Sequence, residues 1–337
     1  MAKVTLQSIA DRVGVSRMTV SNAFSRPDQL SAELRERILA AADELGYVGP
    51  DPAARALARG RSGSVGLLLN DRLRQTFEDA IASEFFASVA DALADNGLAL
   101  TLLTPSSRAG FVPSRDVAMD GALVYICEPD SSDLAWLDRR GLPQVSVDQN
   151  KRDGVTSVNV DDQGGARAAA QHLVDLGHRS VGIMTLSTSE GDLSLNFPAR
   201  ERMLGWRAAL DAAGTEPVVV GSAYQPTTAA REVARELLAR PDRPTAVVCF
   251  SDAFAAGVLQ AAEELGLDVP GDLSIVGYDD SPLATYSRPT LTTVRQDVAL
   301  KGRAAVEAII ATMAGEPPPD VLLPTSLVVR DSTAPPS

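Results

Sequence analysis

Two sets of residues in this chain have the types and spacing to do chemistry. The first lies near the N-terminus. Arg17, Met18 and Asn22 fall on the outer side of a short helical run opened by Ser16, while Val20 turns inward. A guanidinium forks onto guanine and a carboxamide pairs with adenine, so an outward Arg and Asn on one helix suit the base edges of a DNA groove. A plain three-helix bundle with a polar face would carry the same spacing. Further on, Pro50-Asp51-Pro52-Ala53-Ala54-Arg55-Ala56-Leu57-Ala58-Arg59-Gly60 sets one protruding leucine among alanines and arginines. Asp51 can cap a short helix with Pro52 at its first position. Such a helix is too short to pack alone. It suits one that forms only against a partner, such as a minor groove in which Leu57 wedges between base steps. The cluster Arg55, Arg59 and Arg61 reads either as a solvated linker or as a phosphate-contacting element.

The second set could hold a sugar. Carboxylates, Arg and amide groups take its hydroxyls, and an aromatic or apolar face takes the C–H side of the ring. Asn70 and Asp71 follow the first predicted strand, Asp148 follows Val145-Ser146-Val147, Ser251 and Asp252 follow Phe250, and Asp279 follows Gly277-Tyr278. Phe77, Phe197 and Tyr224 could serve as ring platforms, although Phe77 reads better as helix core. Asp252 and Asp280 could simply cap helices, and for Asp252 the cap is preferred. Trp206, at helical spacing from Leu210, reads as core.

Catalytic, metal and cofactor chemistry is not expected. There is no G-x-S-x-G elbow, P-loop or dinucleotide glycine fingerprint. In Gly60-Arg61-Ser62-Gly63-Ser64, a serine stands where the elbow needs its last glycine. His172 lies mid-helix and His178 precedes a strand, and their separation fits no metal motif. Cys127 and Cys249 each sit in an apolar, β-rich run and read as buried free thiols.

The elements that must position these residues fall into two unlike parts. The chain has 337 residues, with 31 Lys+Arg against 44 Asp+Glu and a net charge of −13. Up to Ser62 it carries nine basic and seven acidic residues, a balance of +2, so the acidity belongs to the remainder. In the first part, Thr5 caps a helix with Leu6, Ile9, Ala10 and Val13 on one face, and Gly14 stops it. Ser16 caps a second helix, and Ser31 caps a third that ends at Gly46. Helix, glycine turn, short helix is a helix-turn-helix arrangement. From Ser64 onward strands alternate with helices. Strands are predicted at Val65–Leu69, Leu98–Leu103, Ala122–Cys127, Gln144–Val147, Val181–Thr185, Val218–Val220, Ala246–Phe250 and Ser274–Gly277. Helices are predicted at Phe77–Asn96, Gly164–Leu176, Ala199–Ala213, Thr228–Ala239 and Ala253–Leu265. The alternation predicts an α/β fold with parallel sheets. Ser64-Val65-Gly66-Leu67-Leu68 is echoed by Ser180-Val181-Gly182-Ile183-Met184, which implies two similar lobes with a cleft lined by loops at the strands' carboxyl ends. No apolar run follows Met1–Thr5 and no stretch is long enough to span a bilayer, so a cytoplasmic protein is expected.

Val4-Thr5-Leu6, Ile9-Ala10, Gly14-Val15-Ser16, Thr19-Val20-Ser21-Asn22, Leu45-Gly46-Tyr47 and Ala54-Arg55-Ala56-Leu57 together resemble the lactose-repressor/galactose-repressor (LacI/GalR) family of bacterial transcription regulators. The resemblance continues through Leu176-Gly177-His178-Arg179, Gly205-Trp206, Asp252–Gly257, Gly277-Tyr278-Asp279-Asp280, Thr293–Asp297 and Val328–Thr333, nearly the whole chain. It implies a DNA-binding domain over 1–48, a hinge helix and linker over 49–63, and a periplasmic-binding-protein-like effector and dimerisation domain over 64–337, with crossovers between its lobes. It implies DNA contacts from Thr5, Ser16, Arg17, Met18, Thr19, Ser21, Asn22, Ala54, Arg55 and Leu57. Leu57 of each subunit of a homodimer would intercalate at the centre of a pseudo-palindromic operator, at a CG step. Asp148, Arg200, Ser251, Asp279 and Gln296 fall where relatives contact a small-molecule effector, and Arg200 is preferred over Arg202 on this alignment. The implied function is a repressor whose operator affinity is set by a small molecule, a sugar or sugar derivative. It would lie on the bacterial nucleoid when bound. Two departures stand out. Gly49 looks inserted between Tyr47 and the hinge, and only Pro105–Asp120 separates two strands where the family places a full helix. The C-terminal end, without a leucine heptad, favours a dimer over a tetramer.

Overall fold

The structure is a computed structural model that describes residues 4–49, 51–69, 77–104, 108, 110–125, 131–187, 196–222 and 226–337. Asn70, Asp71, Cys127 and Tyr224 lie outside the described residues. The chain divides into two compact units, Met1–Gly63 and Ser64–Ser337.

The first unit is built on hydroxyl caps. Thr5 and Ser8 form a capping box at α1 (Leu6–Val13). Ser16 accepts from the Thr19 amide at the start of α2 (Arg17–Ser25), and Ser31 from the Leu34 amide at the start of α3 (Ala32–Glu44). Each cap satisfies an amide the helix leaves orphaned. The turn between α1 and α2 passes through Gly14 at φ 77°, a conformation glycine takes without a Cβ penalty. Ile9, Ala10, Val20, Ala23, Ile38, Ala41 and Ala42 form the buried core. Phe24 meets Tyr47 edge-on, with ring centroids 5.6 Å apart. Helix α4 (Pro52–Arg59) starts as the sequence predicts, with Asp51 accepting from the Ala54 amide at 3.3 Å.

The second unit has two lobes. The first holds β1 (Ser64–Leu69), α5 (Ala80–Asp95), β2 (Ala99–Leu103), α6 (Pro113–Asp116), β3 (Gly121–Tyr125), α7 (Ser132–Arg139), β4 (Gln144–Val147) and β5 (Thr156–Val160). The second holds α8 (Asp162–Asp175), β6 (Val181–Leu186), α9 (Phe197–Ala212), β7 (Val218–Ser222), α10 (Pro226–Leu238), β8 (Ala246–Cys249), α11 (Asp252–Glu264), β9 (Ser274–Val276), α12 (Pro282–Tyr286) and β10 (Thr293–Gln296). The chain returns to the first lobe for α13 (Val298–Met313) and β11 (Val321–Leu323). It then crosses again to β12 (Thr325–Val328). The sheet orders are β11-β5-β4-β3-β1-β2 and β7-β6-β8-β9, both parallel, and β10 and β12 form an antiparallel pair. β1 and β6, the two echoed segments, occupy matching places, each between its lobe's next two strands.

Both faces of each sheet are covered, which is why strands such as β1, β3 and β8 read as largely apolar runs. In the first lobe Phe85, Val89 and Ile309 pack on one face and Leu103, Leu134 and Leu137 on the other. In the second, Trp206 and Leu173 lie on one face and Phe254 and Leu237 on the other. A Cβ at Gly205 would collide with the Gln163 carbonyl, so glycine there lets α9 lie against α8. Two crossovers are tied together: the Asp161 amide donates to the Leu323 carbonyl at 2.8 Å, and Thr325 Oγ1 to the Asp161 carbonyl at 2.9 Å. The shortened region between β2 and β3 contains only the one-turn helix α6 among its described residues, opened by Pro113. No helix among the described residues is long and apolar enough to cross a membrane.

Candidate functional site

In the first unit, α2 presents a polar face. Met18 is 69% exposed, Arg17 is exposed and Asn22 is half-buried, its Nδ2 donating to Gln29 Oε1 at 3.2 Å. Val20 is fully buried beneath them. Ser16 and Thr19 hydroxyls lie 2.8 Å apart at the helix start, where amides point outward and favour an anion such as a phosphate. Burial raises the Tyr47 phenol, while the guanidiniums of Arg55 and Arg17 pull it the other way, so both cations lie near that hydroxyl. On α4, Leu57 is 87% exposed and no side chain described on that helix is buried. Among the described residues of its own unit, nothing buries that leucine.

In the second unit, several of the candidate effector-binding side chains gather near the crossovers. Asp148, Asp279 and Asp280 are the non-glycine residues with left-handed backbone among those described, at φ 52°, 107° and 56°. Each sits just past a strand's carboxyl end. An L-residue held there stores roughly 1 kcal/mol or more of strain, a cost concentrated at functional turns. Asp148 and Asp279 are both buried. Gln296, at the end of β10, donates from Nε2 to Asp279 Oδ1 at 2.7 Å. Lys301 on α13 donates to Asp148 Oδ2 at 2.6 Å and to Gln296 Oε1 at 3.1 Å. Arg202 on α9 donates from Nε to Asp162 Oδ1 at 2.7 Å, reaches Asp279 Oδ1 at 3.4 Å, and binds the Phe250 carbonyl. Its guanidinium carbon lies 3.6 Å from the centre of the Tyr278 ring.

Electrostatics in this cluster are governed by burial. It raises Asp162 and Asp279 above the usual carboxylate range, against the pull of Arg202. Burial opposes the charge on Arg202, but the carboxylates of Asp162 and Asp279 outweigh it and hold the guanidinium protonated. Asp252 is pushed up to about 6 by burial, although Thr293 and the Ser281 amide donate to it. Beside Asp279 lies a cavity of about 120 Å³ walled by Asp79 and Ile81 from the first lobe and by Phe250, Ser251 and Leu283 from the second. It is small and partly apolar, with carboxylates among its lining.

The comparisons with known proteins match this arrangement. Residues 5–49 match the model of the bacterial regulatory proteins of the lacI family, and residues 170–333 that of a periplasmic binding protein-like domain. The HTH-type transcriptional regulator IpsA of Corynebacterium glutamicum is 36% identical over 98% of both chains. The chain belongs to the LacI family of bacterial regulatory proteins. Members similar to it over the whole length are DNA-binding transcriptional regulators, and this LacI-family regulator is one of them. Among solved structures, a transcriptional regulator CelR–cellobiose complex superposes with a TM-score of 0.70 at 29% identity, covering 98% of this chain and 100% of that one. The lac repressor dimer bound to operator and the anti-inducer ONPF gives 0.84 at 26% identity, covering 99% and 100%.

Against the sequence reading, the regulator brings Asp148, Asp279 and Gln296 into one cluster and sets Ser251 in the adjoining cavity, where it also caps α11. Arg200 is a correction. It is not in the cluster; its NH2 donates to Asn150 at 2.7 Å and to Glu201 at 3.0 Å, and its guanidinium lies over Phe197 at 5.4 Å. Arg202 takes the buried place. Asp252 is not the cap of α11, because Ser251 is, and its carboxylate serves Thr293 and Ser281 instead. Asp280 bridges Arg295 and Arg330 rather than capping a helix. Phe77 is 53% exposed ahead of α5, edge-on to Phe86, and so is not helix core. The sequence reading missed Lys301 and Asp162 altogether. Both histidines are engaged in the second lobe. His172 meets Thr333, and His178 meets Thr245, Ser274 and the Ala334 carbonyl.

Proposed function

We propose that this regulator is a homodimeric repressor that reads a pseudo-palindromic operator and is controlled by a sugar bound between the two lobes of its second unit. The observation that carries the DNA half is Leu57, an exposed leucine on a capped helix with no core to bury it. A minor-groove step, opened at a central CG, gives that side chain its partner. Arg17, Met18 and Asn22 read base edges, while Thr5, Ser16, Thr19, Ser21, Ala54 and Arg55 set position on the backbone. The domains are 1–48 for reading, 49–63 for the hinge and 64–337 for the effector and the dimer.

The effector half rests on the strained aspartates and the cluster around Asp279. Asp148, Arg202, Ser251, Asp279 and Gln296 line or support the site, and Phe197 stands at its edge. The similarity to a CelR–cellobiose complex supports a carbohydrate over a nucleobase. Effector binding shifts operator affinity by coupling of about 1–3 kcal/mol. For the dimer, a groove of about 580 Å³ on the second lobe carries Leu283, Tyr286 and Arg288 beside Glu263 and Asp268. A two-fold copy can bury the apolar pair and set Arg288 against the acids. The regulator acts without catalysis.

Footprinting on the promoter near its own gene is the test. Protection of a palindrome is expected, and Leu57→Ala should weaken it while leaving sugar binding intact. An operator bound equally well by the variant would remove the wedge.

A further inference from the structure

We infer that Gln29 is a positioning residue: it holds the Asn22 carboxamide in the orientation that pairs with adenine, and so sets the base chosen at one point of each half-site. The inference rests on the reading that α2 faces base edges.

The backbone brings the two side chains together. Asn22 lies in the second turn of α2, half-buried, between the buried Val20 and Ala23 in sequence. Its carbonyl accepts from the Arg26 amide at 2.8 Å, and the Arg26 carbonyl accepts from the Gln29 amide at 3.0 Å, which closes the single-turn helix Pro27–Gln29. Leu30, the next residue, packs against the core of the unit. Gln29 is thus tied on both sides, and its exposed side chain turns back toward α2. There Asn22 Nδ2 donates to Gln29 Oε1 at 3.2 Å, across seven residues of sequence.

A primary amide offers two N–H donors and one acceptor oxygen. Pairing with adenine uses the oxygen, which accepts from N6, and the N–H beside it, which donates to N7. The other N–H points away from that edge, and Gln29 gives it an acceptor. Reversing Asn22 then requires both amides to turn over together, where a free amide turns alone. A freely turning amide could give an N–H to guanine O6 or accept from the cytosine amino group, and would discriminate less. In open water the bond to Gln29 is worth little, because water replaces it. In a groove from which water is displaced, an amide N–H left without an acceptor is penalised. The selectivity therefore belongs to the docked helix, at the base facing Asn22.

Selection of bound sequences from a random duplex library by the full chain tests this, followed by affinities for the selected operator and each of its single-base-pair variants. One position per half-site should favour adenine, and Asn22→Ala should abolish that preference. Gln29→Met, which keeps the length of the side chain and removes the acceptor, should lower the adenine preference there by about fivefold or more and leave the other positions unchanged. Gln29→Glu keeps an acceptor in place; its charge should weaken all sequences alike while the adenine preference stays. In the Asn22→Ala background, Gln29→Met should alter no preference, as expected of a residue that acts through Asn22. Gln29 is exposed, so the variants should melt with the parent, and a structural loss would weaken every sequence equally. An unaltered preference in Gln29→Met, a loss spread evenly over all positions, or a preference that Gln29→Met still changes without Asn22 overturns the inference. So does an Asn22-dependent position that favours another base. Enrichment of a palindrome with no position dependent on Asn22 overturns the inference and leaves the operator reading standing. No enrichment of any sequence overturns the operator reading and the inference with it.

Discussion

Replacing Arg202 with Met should be among the most damaging single changes in the second unit. The methionine keeps an apolar stem of similar length and removes the charge. Asp162 then loses a donor at 2.7 Å and Asp279 loses its cation at 3.4 Å, both inside the protein. Removing one partner of a buried pair costs about 3–5 kcal/mol, because the remaining charge stays desolvated. The stack on Tyr278, at 3.6 Å, adds about 1 kcal/mol. The expected loss is thus about 4–6 kcal/mol, against total stabilities of about 5–15 kcal/mol for a domain. The loss should also depend on pH. Burial already raises Asp162 and Asp279, and without Arg202 only the weaker pulls of Lys301 on Asp162 and of the Gln296 amide on Asp279 restrain that rise. A folded state that holds protons the unfolded chain has released loses stability as pH rises from the ordinary carboxylate value through the raised one. The variant should therefore suffer more near pH 8 than near pH 5. Urea unfolding followed by fluorescence reads this directly. The chain has two tryptophans, and in a Trp136→Phe background the signal comes from Trp206, buried on α9 beside the mutation. A loss below about 1 kcal/mol, within the range of ordinary surface changes, would refute the reasoning. So would an equal loss at both pH values.

Three further outcomes are expected. Asp252→Asn should flatten the pH dependence of melting between the ordinary carboxylate value and about 6, because stability stored in the protonated, buried acid is lost as pH rises through that window; an unchanged slope would assign the dependence elsewhere. Arg55→Ala should weaken binding to all operator sequences alike and reduce the slope of log affinity against log salt by about one, measured by filter binding over a salt series; a change in sequence preference would place Arg55 at a base. Ser332→Ala should cost about 1–3 kcal/mol, read by thermal melting, since it strips the buried Thr292 amide and Ile275 carbonyl of the hydroxyl they share at 2.8 and 2.6 Å; no shift would show that this C-terminal segment is not holding β9.

The fold was legible where local signals agreed. Serine and threonine before an apolar stripe located α1, α2 and α3, and Asp51-Pro52 located α4, because capping is decided within four residues. The strands β1, β3, β6 and β8 were legible because both of their faces are covered, which leaves a largely apolar run, and the edge strands β2 and β7 by their Leu and Val content. β5 was not. Thr156-Ser157-Val158-Asn159-Val160 reads as polar, yet Thr156 and Ser157 are buried by donors and acceptors from residues 318–320, more than 160 positions away. β10, β11 and β12 were missed for the same reason. They are crossover and edge segments of three or four residues, and their pairing partners are set by the return of the chain, not by their own composition.

The site was legible by residue type but not by helix face. Arg200 was preferred to Arg202 on alignment, and periodicity argues the other way. The buried positions of α9 include 199, 202, 203, 206, 209 and 210, a single stripe at helical spacing. Arg202 stands three residues after Ala199 and four before Trp206, squarely on it, and Arg200 falls beside it. The same count exposes Lys301, three after Val298 and four before Ala305 on the buried stripe of α13. Here both heads are buried as well, at 5% side-chain exposure for Arg202 and 1% for Lys301, whereas Arg207, also flanked by core at 203 and 210, keeps its head in water. A desolvated cation needs a carboxylate within reach. The acids that answer it are the ones placed at strand ends on chemical grounds, Asp148 for Lys301 and Asp279 with Asp162 for Arg202. Counting faces brings Arg202 and Lys301 forward as candidates, but which acids answer them is set by the crossovers, which join Lys301 to Asp148 across 153 residues and Arg202 to Asp162 across 40.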